Sequence, residues 1–190
     1  AGSLMPIAQD VKIQVEFNPS AVSEYRLIGY ETRALKQEDF KNDAVDAGDI
    51  GAGHTVTAIY ELTPKGSKAE KFDALRYDAT QDPNSGLENA TSFKGEIAFV
   101  KLRYKQPGET KSTLLSKAVS ASANDIPNKE VQFASAVAGF GQLMRGSDHM
   151  GKWTMSDAER LASQSRGADR FGYRSEFLTL IRLSQTAEAG

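Results

Sequence analysis

The stretch 39–62, DFKNDAVDAGDIGAGHTVTAIYEL, constrains this chain more than any other. Asp43, Asp46 and Asp49 favour turns, while Gly48, Gly51 and Gly53 reach backbone angles closed to other residues. From Thr55 the text becomes β-branched and aromatic, as strands are. The expectation is a long, specified loop docked on a sheet.

Strand patterning surrounds it. Val11, Ile13, Val15 and Phe17 alternate with Lys12, Gln14 and Glu16, which puts four apolar side chains on one face of a strand and turns the other to water. Asn18-Pro19-Ser20 ends it, and 24–31 reads as the returning strand of an antiparallel pair. Val56, Ala58, Tyr60 and Leu62 repeat the period of two, and further strands are expected at 72–77 and 96–104. Gln106-Pro107-Gly108-Glu109 makes a turn into 112–119, the clearest hairpin, and 78–90 is the most loop-like stretch.

After Pro127 the period changes. Phe133, Val137, Phe140 and Met144 fall on one side of a helix expected to bury them against the sheet. Ser156 to Glu159 fits a capping box that starts a second helix, and 170–183 forms a third with a broad apolar surface to be covered. The expectation is an α+β chain: an antiparallel β-sandwich or twisted sheet over 1–125, then a C-terminal helical layer over 126–190 packed on it as one structural unit.

The 190 residues suffice for a substantial core without disulfide or metal, and the absence of cysteine excludes thiolate chemistry. With 23 basic against 25 acidic side chains, no phosphate-neutralising surface is expected, so nucleic acid is not a partner. The apolar runs fall short of the roughly 20 residues that span a bilayer, so no membrane insertion by this segment is expected.

Asp43, Asp46 and Asp49 are the candidate metal ligands, for calcium. Their interval of three departs from an EF-hand, and aspartates in loops more commonly accept backbone hydrogen bonds, so no metal and no cofactor are expected. The glycines precede a strand rather than a helix, unlike a dinucleotide fingerprint. His54 stands where loop joins strand, as a hydrogen-bonding anchor; a hydrolase using His54 with Asp46 or Asp49 lacks any accompanying nucleophile motif. Tyr25, Arg26, Tyr30 and Arg33 place aromatic bodies beside cations, as binding surfaces do, and are with His54 the candidate binding residues. Arg33 also suits pairing with the acidic loop.

The loop, together with VKIQVEFNP at 11–19, YRLIGYETR at 25–33, LRYK at 102–105, FASAVAGFGQLMRGS at 133–147 and GYRSEFLTLIRL at 172–183, resembles the C-terminal domain of bacterial von Willebrand factor type A domain proteins, a domain of unknown function. The D-x-S-x-S magnesium motif of the type A domain is absent from this chain, so no metal ligand carries over. The resemblance implies a non-enzymatic accessory domain. It would support adhesion or protein–protein contact beside a type A domain of the same polypeptide, in a periplasmic or surface lipoprotein of the cell envelope whose targeting signal lies upstream. The alternative is an independent calcium- or sugar-binding module using the loop 39–54.

Overall fold

A computed structural model describes residues 5–29, 35–72, 93, 95–120 and 128–188. They form an α+β chain in two compact units, Ala1–Ala123 and Asn124–Gly190. The first contains β1 (Pro6–Phe17), β2 (Val22–Ile28), a 3₁₀ turn (Gln37–Lys41), β3 (Gly48–Gly51), β4 (Ile59–Pro64), β5 (Glu96–Lys105) and β6 (Thr113–Ser120). The second contains α1 (Lys129–Met144), α2 (Met155–Ser165) and α3 (Tyr173–Glu188).

The strands make two antiparallel sheets, one ordered β3-β1-β5-β6 and one of β2 with β4. The alternation of β1 is realised in its ladder with β5. Ile13 faces Leu102, Val15 faces Val100 and Phe17 faces Ala98 on one side, with Lys12, Gln14 and Glu16 on the other.

The expected pairing of β1 with the next strand is not formed. Asn18 holds the end of β1 against β5 instead, its amide donating to Ile97 O at 2.9 Å and its side chain to Glu96 O at 2.8 Å. Its own carbonyl accepts from the amides of Ala21 and Val22, turning β2 away into the other sheet. Phe17 joins the two sheets, with its ring 4.4 Å from Tyr25 and 5.3 Å from Tyr60.

The strand expected from Val56 begins only at Ile59. Its partner β2 ends at Ile28, where Gly29 takes φ +74, so the ladder closes with Ile28 opposite Ile59 and Val56 stays 57% exposed. The hairpin forms as expected. Gly108 takes φ +86 after Pro107, and the Glu109 amide donates to Gln106 O, the pattern of a type II turn. The strand expected at 72–77 and the loop at 78–90 lie outside the described residues, apart from Phe72.

In the helical unit, Ala136 and Phe140 of α1 meet Ala158 and Ala162 of α2 and Leu178 and Ile181 of α3. The buried stripe is narrower than the sequence suggests: Phe133 and Phe140 turn inward, whereas Val137 is 42% and Met144 56% exposed. Alanine and glycine decide this, because Ala136 and Gly139 let neighbouring groups approach more closely than Val137 would. Phe177 meets Phe133 and Phe140 edge to face, at centroid distances of 5.6 and 5.4 Å.

The cap of the second helix lies two residues before the expected one. Thr154 Oγ1 accepts from the Asp157 amide while the Thr154 amide donates to Asp157 Oδ2, so Thr-x-x-Asp forms the box and Ser156 lies inside the first turn. The third helix covers Leu178 and Ile181 but leaves Phe171, Tyr173, Leu180 and Leu183 exposed.

Gly139 lies against Trp153, where an added Cβ would stand 1.7 Å from the ring, whereas the same atom on Gly141 would meet nothing within 4 Å. Gly139→Ala is therefore expected to cost about 1–3 kcal/mol through overpacking, against its helix propensity. Gly141→Ala is expected to stabilise by up to about 1 kcal/mol. Denaturant midpoints read both signs, and two shifts of the same sign would refute this packing.

Candidate functional site

The loop that follows the 3₁₀ turn lies over the polar face of β1 and β5, held by two ammonium groups. Lys12, only 3% exposed, donates from Nζ to Asn42 O at 2.5 Å and to Asp39 O at 3.4 Å. Those carbonyls sit at the end of the 3₁₀ turn, where each also accepts a backbone amide, Asp39 O from Asn42 and Asn42 O from Val45, so the ammonium takes up their remaining acceptor capacity. Lys105 of β5 donates to Asp43 O at 2.7 Å and to Asp10 Oδ2 at 2.6 Å. The face of β1 expected to meet water is covered here by the loop itself.

Asp10 is the hinge of the arrangement. It takes φ +51, a region that aspartate tolerates better than most residues, and the ladders of β1 with β3 and β5 both shift register around it. In that posture its Oδ1 accepts from the Ala47 amide at 3.0 Å, while its own amide donates to Asp49 Oδ1 at 3.2 Å. Asp43 Oδ2 accepts from the Ser112 amide at 3.3 Å. Phe40 closes the loop from beneath, 4% exposed, with the Arg103 guanidinium 5.6 Å from its ring.

The result is an acidic cleft of about 410 Å³ lined by Asp10, Asp43, Asp46, Asp49, Lys105 and Glu109. The three aspartates singled out in the sequence do line one cleft. Two of them accept backbone amides, as aspartates in turns do. Among the described residues, no group of three or more His, Asp or Glu side chains is placed to hold a metal ion.

The Lys105 hydrogen bond, with help from the Ala47 amide, holds the Asp10 carboxyl below its ordinary value. Reciprocally, the bond from Asp10 raises Lys105. The Ser112 hydroxyl and amide lower Asp43.

The remaining candidates are dispersed. His54 is exposed beside a cleft of about 250 Å³ with Pro6, Asp49 and Val56, and its backbone amide donates to Gly51 O. Among the described residues, lysines rather than His54 tie down the loop. Tyr25 packs on Phe17 while Arg26 pairs with Glu61 across the ladder to β4. Adjacent strand residues face opposite ways, so these two do not share a patch. Tyr30 and Arg33 lie outside the described residues. Lys12 and Asp10 were not singled out by sequence reasoning, because a lysine in an alternating strand reads as solvated until its cross-strand neighbours are known.

Replacing Lys12 by Met keeps most of the stem but takes the ammonium from two loop carbonyls, which keep only one backbone amide each. The expected cost is about 1–3 kcal/mol by chemical denaturation, with faster hydrogen exchange over 39–47. Unchanged stability and exchange would remove Lys12 as the anchor. The Asp10–Lys105 pair also sets a pH dependence. Because its folded pKa is depressed, Asp10 contributes stability in full above about pH 4–5 and loses it as pH falls through the folded value; Lys105, raised, contributes below about pH 10 and loses it above. Asp10→Asn should therefore flatten the acid limb of a stability–pH profile. An acid limb as steep as the parent's would place the titration elsewhere.

Residues 2–187 match the family described as "Uncharacterized protein YfbK, C-terminal". The uncharacterized protein YfbK of Escherichia coli strain K12 is 43% identical over 181 residues, which cover 95% of this chain and 30% of that protein. The chain thus spans less than a third of the curated relative's length. No solved structure matches it. With the match running over nearly all of its length, the chain belongs to the YfbK C-terminal family.

Proposed function

We propose that this chain is a non-enzymatic interaction domain of a bacterial von Willebrand factor type A protein, and that it docks beside the type A domain of the same polypeptide in the cell envelope. The observation that carries this reading is the apolar face left open on α3. Tyr173, Leu180 and Leu183 are spaced seven and three apart, on one side of the helix, and are 72%, 49% and 62% exposed. Phe171, just before the helix, is 73% exposed and lies 6.1 Å from Tyr173. Large side chains gathered in this way mark interaction surfaces more often than monomer surfaces.

The rest of the relative supplies a partner within reach, since the matched part is 30% of its length. The resemblance in sequence to the domain that accompanies type A domains gives that partner its chemistry. The acidic loop serves architecture in this reading, because its ammonium anchors and backbone amides already occupy the groups a ligand would use.

Calorimetric mixing of the chain with the separately expressed type A region should show association at about 100 μM. The Leu180→Glu, Leu183→Glu variant should weaken it at least tenfold without lowering the melting temperature. No binding at that concentration corresponds to contact energies below about 5.5 kcal/mol and would leave two independent tethered domains.

A further inference from the structure

We infer that the outer edge of β6 receives an extended strand from the remainder of the same polypeptide, an inference that rests on the interaction reading above and gives it a second, backbone-mediated contact. β6 is the last strand of the four-stranded sheet, and its ladder with β5 runs from Tyr104 opposite Thr113 to Ala98 opposite Val119 without a shift. Every residue of β6 is exposed except Val119, with Leu114 at 47% and Leu115 at 51%. Strands left at an edge ordinarily carry a proline, a bulge or several charges that discourage pairing. TLLSKAVS carries one lysine and neither of the others. It is seven residues of regular strand, Thr113 to Val119, with half its amides and carbonyls directed outward among the described residues, which is what strand addition uses.

The chemistry of the occupant follows from the two faces of the sheet. Leu115, Lys117 and Val119 continue the face of Leu102, Val100 and Ala98, while Leu114 and Ser116 stand beside Arg103 and Lys101. An added strand thus meets leucines on both faces and the Lys117 ammonium on one, with no acid anywhere on β6. The complementary segment is apolar with aspartate or glutamate among its residues. A second copy of β6 does not fit this description, since it brings another lysine and no acid. The part of the relative outside the 30% covered by this chain is where such a segment is available.

Hydrogen exchange over 113–120 tests this, measured for the chain alone and for the chain bound in trans to the type A region and the sequence flanking it. Exchange at alternate amides of β6 should slow at least tenfold on binding, and Lys117→Glu, an exposed change, should weaken association at least fivefold with the melting temperature unchanged. Association with no slowing over 113–120 would overturn the β6 assignment while leaving the interaction domain intact. Absence of any association would overturn both. Protection already present in the chain alone would refute the inference, a dimer in sedimentation then identifying a second copy as the occupant and a monomer another segment of this chain.

Discussion

A buried ammonium holds the acidic loop in place. Lys12 gives up most of its hydration at 3% exposure, and Asn42 O and Asp39 O take over as its acceptors. Removing a charge from water costs several kcal/mol unless it is well partnered. The loop therefore has to be where it is for Lys12 to be tolerated, and the two carbonyls near the end of the 3₁₀ turn gain a second donor beside their backbone amides. Lys105 repeats the device one strand away, with a carboxylate added. Calcium-binding loops gather carbonyl and carboxylate oxygens around an ion. Here two side chains from the sheet supply the positive charge.

The elements that could be read in the sequence are those specified by neighbours in the chain. The alternation of Ile13, Val15 and Phe17, the Pro107-Gly108 turn and the threonine–aspartate pair near 154 each depend on spacing alone, even though the last was read two residues late. Pairing was less legible. Asn18 looks like a simple turn residue, yet its hydrogen bonds to Glu96 and Ile97, 78 and 79 positions away, decide which sheet each strand joins. The same distance dependence hid the site: Lys12 reads as a solvated position, and only the loop some 30 residues on makes it a core residue. In α1, periodicity placed the helix but not the centre of its buried face, because the fit of Gly139 to Trp153 outweighs the size of Val137.

The two sheets meet through aromatic contact at Phe17, Tyr25 and Tyr60, with Val22 the buried residue of β2. A two-stranded sheet has little independent stability and depends on what packs against it. Both lysines project from β1 and β5, the two strands of the larger sheet that are paired on both sides, so the site is built on the centre of that sheet.

Trp153 is the single tryptophan of the chain, and it sits on the glycine face of α1. Its emission is therefore an intrinsic reporter of the helical bundle. Fluorescence and a β-sheet signal recorded in one titration would follow separate halves of the molecule, and the coincidence or separation of the two curves would tell whether those halves melt as one cooperative body or as two.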